Sequence, residues 1–236
     1  MAYSDYIDWK GWEEGAFGAC DAYSQAYFND EIGPFLRKAS TTPPCLVEIG
    51  FGNGSLLGWC RSRGIDVIGS EIQAALQERA RRAGFPVVDD LSEIAAETAD
   101  VVVAFDVFEH IPYDDLVALC RDIHRILKPE GHLIARFPNG DSPFSMVFQN
   151  GDPTHVHALG VFKLRRLMSA AGLRLEVLKA PCERRLSLKG RLFLPVRRLM
   201  RAMFSAFVRY AFLEGDTPTT FTMNYVLVAS RPAVPS

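Results

Sequence analysis

The stretch VEIGFGNGS, residues 47–55, decides the fold. An acid, Glu48, stands inside an apolar run, and glycines at 50, 52 and 54 then alternate with Phe51 and Asn53. A fully buried strand prefers another valine to a carboxylate, so Glu48 needs a reason to be there. A turn this bare lets the backbone approach a ligand closely and aims its amide groups at it.

Outward from this stretch, short apolar runs alternate with helical segments. CLVEI (45–49) precedes a helix from about 54 to 63, DVIGSE (66–71) a helix to about 83, PVV (86–88) a short helix near 92–97, and DVVVAF (100–105) a helix over 112–127. HLIARF (132–137) leads into a long loop, a helix near 161–171 and a strand near 173–179, and FTMNYVLVAS (221–230) reads as a last strand returning to the sheet. Apolar runs without polar alternation are strands buried on both faces, and the intervening helices cross between them. The fold class is therefore α/β, a doubly wound, Rossmann-like parallel sheet. The helix over 112–127 carries the fullest signature, with Pro112 at its first position, Asp114 and Asp115 in the first turn, and Leu116, Cys120, Ile123 and Leu127 on one face. The chain divides into an aromatic-rich lead with a helix (1–44), a core (45–180), a basic helical insertion (181–220) and the last strand with a tail (221–236).

The 236 residues are 48% hydrophobic and 23% charged, enough to bury a large core. A net charge of −2 offers no global attraction for nucleic acid. Charge is nevertheless segregated: residues 184–213 hold eight Arg/Lys and no acid, which leaves −10 on the rest. Five cysteines without a Cys-x-x-Cys pair fit a reduced, cytoplasmic protein, and MAYSDYIDWKGWEEG has acids and tryptophans where an export signal needs a basic start and an apolar stretch.

The glycine spacing narrows the ligand. A dinucleotide fingerprint wants its third glycine at position 55, which is serine; here the pattern is G-x-G-x-G. Glu71, 23 residues after Glu48, ends the second strand and can chelate two ribose hydroxyls, as in nicotinamide folds too. Glu48 discriminates, because a carboxylate beside the loop repels a pyrophosphate but orients amides and accepts from an ammonium group. A ligand with a ribose, an amino-acid end and no phosphate fits, and S-adenosylmethionine is such a molecule. The alternatives are a nicotinamide-dependent oxidoreductase and a non-catalytic adenosylmethionine-binding protein.

VEIGFGNGS, VIGSEI (67–72), VVDDL (87–91), VVVAFDVFEHIP (101–112) and ILKPEGHLIARFPN (126–139), in this order and spacing, make residues 45–180 resemble the class I S-adenosylmethionine-dependent methyltransferases, in particular the group near the ubiquinone-biosynthesis and glycan-modifying enzymes. The resemblance implies that Glu48, Gly50, Phe51, Gly52 and Gly54 form the methionine side, Glu71 holds the ribose, Ile72 packs on the adenine, Asp90 with Leu91 reaches the adenine edge, and Phe105 and Asp106 border the methionine moiety. Asp90 alternatively caps the helix after it. Two positions depart from the pattern: Glu71, where many relatives have aspartate, and Glu130, where a turn usually has glycine.

Methyl transfer to a hydroxyl is an in-line displacement that gains from alignment, exclusion of water and a base. His110, in the turn after the fourth strand, is catalytic or architectural. His155, in DPTHVH (152–157) of the long loop, is a general base or a substrate contact. Asp152, His155 and His157 do not add up to a zinc set, so no metal is assigned. The aromatics Tyr3, Tyr6, Trp9 and Trp12 either close over the cofactor or anchor the chain end.

In the insertion, Arg197, Arg198, Arg201 and Arg209 share a helical stripe with Ser205, and Leu199, Met200, Met203, Phe207 and Tyr210 occupy the remainder. Four arginines exclude a membrane span, at about 10 to 14 kcal/mol near a bilayer centre. The helix packs on its own domain, lies peripherally on an anionic inner-membrane surface, roofs a pocket for a lipid-linked acceptor, or pairs with another subunit. The acceptor expected is a small-molecule or lipid-linked one, first a sugar or glycan hydroxyl and then a quinone-like lipid.

Overall fold

The computed structural model describes residues 16–39, 42–183, 188–213 and 220–233; the aromatics at 3, 6, 9 and 12 lie outside them. The chain order is α1 (Ala22–Glu31), β1 (Cys45–Ile49), α2 (Ser55–Ser62), β2 (Asp66–Ser70), α3 (Ala74–Arg82), β3 (Val87–Val88), β4 (Ala99–Phe105), α4 (Tyr113–Ile126), β5 (Leu127–Pro138), α5 (Met146–Gly151), α6 (Val161–Ala170), β6 (Arg174–Lys179), α7 (Leu188–Phe212) and β7 (Asn224–Ser230).

The seven strands form one sheet in the order β3-β2-β1-β4-β5-β7-β6. β3, β2, β1, β4 and β5 run parallel, and β7 is antiparallel to both β5 and β6. The doubly wound expectation holds, and the strand order reverses at β1, where such sheets open a crevice at their carboxyl ends.

Alternation along β1 sends successive side chains to opposite faces. Val47 and Ile49 join one core with Leu116, Cys120 and Ile123 of α4 and Leu164 and Leu167 of α6. Leu46 joins the other with Phe28 of α1 and Leu56, Leu57 and Trp59 of α2. Glu48 falls on the second face, and its neighbour in register on β2 is Gly69. That glycine makes room: a Cβ there would lie 2.7 Å from the ring of Phe51, which crosses the strand.

Three boundaries differ from the sequence reading. The helix expected near 92–97 is a 3-10 turn, Leu91–Glu93, capped by Asp90. Pro112 sits at the N-cap of α4 and not inside it. β5 begins at Leu127, five residues earlier than expected, because Leu127 is already extended and pairs with Ala99 before a register shift. Glu130 lies in that stretch at φ +63°, which explains why a glycine suits this turn; a left-handed non-glycine residue costs about 1–2 kcal/mol.

α7 is 25 residues long and contains Pro195. Arg197, Arg198 and Arg201 converge on Glu183, at 3.1, 3.2 and 3.4 Å. The basic stripe is thus partly neutralised by an acid one residue before the acid-free stretch 184–213. Phe204 packs on Phe144 and Phe221. Leu199, Met200, Met203 and Phe207 stay exposed, and Tyr210 is 95% exposed. No helix among the described residues is long and apolar enough to cross a membrane.

Candidate functional site

The turn after β1 is shaped by three left-handed glycines, Gly50, Gly52 and Gly54, at φ +70°, +52° and +70°. A Cβ on Gly50 would meet Val107 Cγ2 at 2.6 Å, and one on Gly54 would meet the ring of Phe17 at 2.6 Å. The backbone therefore runs where no side chain fits. Glu71 closes the turn from β2: its carboxylate accepts from Gly52 N at 3.2 Å, Ile72 N at 2.8 Å and Gln73 N at 3.1 Å.

Glu48 lies beneath the loop, 7% exposed, with Oε2 lacking a hydrogen-bond partner among the described residues. Burial first, and then the charge of Glu71, push its carboxyl well above the usual range; the Leu57 amide at the start of α2 opposes them. Such a group seeks a positive partner.

A cavity of about 300 Å³ opens at the carboxyl ends of β1, β2 and β4. Gly50, Gly52, Glu71, Ile72, Asp90, Leu91, Asp106 and His110 line it. Ile72, 80% exposed, and the buried Leu91 both line it and give it apolar surface. Asp90 Oδ1 accepts from the Ser92 amide, so the capping expectation holds and the residue still borders the cavity.

A second cavity, of about 640 Å³, lies beyond Asp106 and His110, which line both. Tyr27, Glu109, Arg136, Asp152, His155 and Asn224 form its polar wall, and Val147 and Phe148 an apolar one. Asp106 follows β4 at φ +57°, an uncommon conformation for a residue with a side chain, and is paired with Arg136. Arg136 also stacks on Phe105, 4.8 Å from the ring centre, and on Tyr27, at 5.4 Å. Burial pushes the Tyr27 hydroxyl up to about 12. Burial and then the Asp106 charge push Glu109 up to about 8.

The loop carrying DPTHVH is stitched to the turn after β4. Val156 N donates to Glu109 O at 2.9 Å, and His157 Nε2 reaches Phe108 O at 3.2 Å. His110 and His155 are thereby brought edge to face, ring centres 4.7 Å apart, while His157 is occupied elsewhere.

Phe51, Gly54, Phe105 and Glu48 are not among the residues lining either cavity. Phe51 turns into the core against Phe17, and Phe105 packs on Tyr27 and Phe28. They shape the site from behind. Sequence reasoning missed Tyr27, Glu109's neighbourhood and above all Arg136. The signal for Arg136 was present, since a charge inside the apolar run HLIARF poses the same question as Glu48 does in VEIG.

A family model described as a methyltransferase domain matches residues 22–178. No curated protein sequence matches the chain. Among solved structures, an S-adenosylmethionine-dependent methyltransferase from Archaeoglobus fulgidus is 18% identical with a TM-score of 0.63, covering 98% of this chain and 100% of its own. A chain from the complex between the Haloferax volcanii Trm112 methyltransferase activator and a methyltransferase is 14% identical with a TM-score of 0.65, covering 100% of both. An S-adenosylmethionine-dependent methyltransferase from Mesorhizobium loti is 16% identical with a TM-score of 0.55, covering 84% of this chain and 96% of its own. At these identities the likeness is one of fold. The chain belongs to the methyltransferase domain family, among the class I S-adenosylmethionine-dependent methyltransferases. Its cofactor is S-adenosylmethionine, which decides against the nicotinamide alternative. The residues present fit that cofactor: the apolar side chains of Ile72 and Leu91 at the cavity for a flat base, a carboxylate just after β2, and under the loop a carboxylate oxygen without a partner among the described residues for a cation.

Proposed function

We propose that the smaller cavity takes S-adenosylmethionine and the larger one the methyl acceptor, so that the Asp106–His110 wall is where the methyl group crosses. The observation that supports this most is that these two residues line both cavities. When bound, S-adenosylmethionine supplies a methyl group on a sulfonium, open to in-line displacement.

In this reading Glu71 grips the ribose through the one lone-pair site left on Oε2 after its three amide bonds, since each carboxylate oxygen has two such sites and Oε1 already accepts from Ile72 and Gln73. Ile72 and Leu91 flank the adenine, and Asp90 reaches its edge with the oxygen not used in capping. Glu48 Oε2 answers the ammonium group from behind Gly50 and Gly52. Asp106, held by Arg136, borders the methionine end. In the larger cavity His155 takes the acceptor proton, and His110 positions the acceptor.

The mixture of Arg136, Asp152, His155 and Asn224 with Val147 and Phe148 suits a hydroxylated acceptor attached to something apolar, first a sugar or glycan intermediate and second a quinone-like lipid. The exposed apolar residues of α7 beside its arginines support peripheral contact with an anionic membrane carrying a lipid-linked acceptor. The experiment is transfer of isotopically labelled methyl to a panel of glycan, quinol and phenol acceptors, with and without anionic vesicles. Label in a sugar hydroxyl supports the first choice. Label in a quinol alone replaces it, and no label in any acceptor favours a non-catalytic protein.

A further inference from the structure

Glu109, His110 and His155 bring one ligand atom each to within 4.8 Å of one another at the edge of the larger cavity. They come from positions 45 residues apart, and the hydrogens around them are fixed by their neighbours. Asp152, which can only accept when ionised, receives the Thr154 hydroxyl proton. Thr154 Oγ1 must then accept from His110 Nδ1, 2.9 Å away, which puts the lone pair of the neutral ring on Nε2. His155 Nδ1 faces the carbonyl of Gln149 at 3.3 Å, also an acceptor only. Its lone pair is again on Nε2, 3.9 Å from Glu109 Oε1 and 4.0 Å from Asp152 Oδ2.

Glu109 adds an independent sign. It is 2% exposed, and its Oε2 has no hydrogen-bond partner among the described residues. A buried carboxyl oxygen left so is costly in its ionised form unless a proton or a cation meets it, and Arg136, which also lines this cavity, is taken by Asp106. Imidazoles whose far nitrogens are tied to a carbonyl and to a hydroxyl–carboxylate relay, with a carboxylate between them, are arranged as metal ligands are.

We propose that Glu109, His110 and His155 bind a divalent first-row transition ion at the acceptor cavity. Two nitrogens and one carboxylate select Mn²⁺, Fe²⁺, Co²⁺ or Zn²⁺ over Mg²⁺ and Ca²⁺. Bonds of about 2.0–2.2 Å put ligand atoms roughly 3–4 Å apart. The His155–Glu109 pair is already at that spacing, and side-chain shifts under about 1 Å close the rest. Asp152 Oδ2 stands outside this group, 4.0 Å from His155 Nε2. Ion binding stands by itself; its use rests on the methyltransferase reading, in which the ion holds the acceptor oxygen and eases loss of its proton to solvent. His155 is then a ligand and not the base.

The test uses Mn²⁺ added to the tag-free chain, with loss of the free-ion electron paramagnetic resonance signal as readout. Wild type is expected to bind one ion, His155→Ala and Glu109→Gln to weaken it at least tenfold, and His124→Ala, outside the cluster, to bind as wild type. Circular dichroism melting and calorimetric binding of S-adenosylmethionine report whether each variant is folded; Glu109→Gln keeps the shape if His155→Ala does not fold. Wild type that binds S-adenosylmethionine but neither Mn²⁺, Co²⁺ nor Zn²⁺, or folded variants that bind Mn²⁺ as tightly as wild type, overturns the inference and leaves the methyltransferase reading intact. An ion bound at the cluster by a chain without affinity for S-adenosylmethionine upholds the site and removes its assigned use.

Discussion

The two cavities share a wall and are built in opposite ways. The smaller one is made by backbone and by residues close to a strand end: Gly50 and Gly52 after β1, Glu71 and Ile72 after β2, Asp90 and Leu91 after β3. The larger one is made by side chains from α1, the turn after β4, β5, the 139–160 loop and the start of β7. A site made from strand ends tolerates few substitutions, because the backbone path is itself the binding surface. A site made from distant side chains can be re-cut for another acceptor while the donor side stays fixed.

The largest effect that can sharpen this contrast is expected from Glu71→Ala. It removes the group assigned to the ribose and leaves the amides of Gly52, Ile72 and Gln73 without their acceptor. Calorimetry should show donor affinity weakened by about 2–4 kcal/mol; unchanged affinity takes Glu71 out of the site.

Glu48→Gln comes next and should separate stability from binding. The folded-state pKa of Glu48 is raised, so the native chain binds more protons than the unfolded chain above the ordinary glutamate value, and stability falls as pH rises through that window. The glutamine variant should therefore be more stable than wild type at neutral pH without ligand, with a flatter pH profile in denaturant titrations. It should bind the donor about 1.5–3 kcal/mol more weakly, having lost a charged acceptor. Loss of both stability and affinity contradicts the assignment.

Gly50→Ala should cost about 1–3 kcal/mol in chemical denaturation, since its Cβ meets Val107 at a left-handed position. A neutral result means that Val107 and the wall between the cavities yield freely. The smallest effect per side chain is expected on α7. Glutamine at Arg197, Arg198 and Arg201 should lower vesicle affinity by about 1 kcal/mol each at most, less the part that Glu183 already neutralises. Wild type that never sediments with anionic vesicles ends the membrane reading.

What the sequence made legible follows the same division. Apolar runs and glycine spacing act over a few residues, so β1, β2, β4 and the loop at 50–54 could be read directly, and Glu48 and Glu71 stood out as acids at strand ends. Phe51 and Gly54 lie in the same loop yet face inward, because a loop's sequence does not say which side each residue presents. In the larger cavity, Glu109 and His155 meet only because Val156 and His157 bond to the turn after β4, and no periodicity encodes that contact. The Glu183 partner of the arginines was hidden for a similar reason: Glu183 is 14 residues before Arg197, and the folding of α7 back toward it is a tertiary event.

The most direct measurement is a crystal structure with S-adenosylhomocysteine. The ligand should lie in the 300 Å³ cavity, with its base between Ile72 and Leu91, its ribose at Glu71 and its sulfur facing the Asp106–His110 wall. A ligand seated elsewhere, or one whose sulfur points away from the larger cavity, would contradict the account.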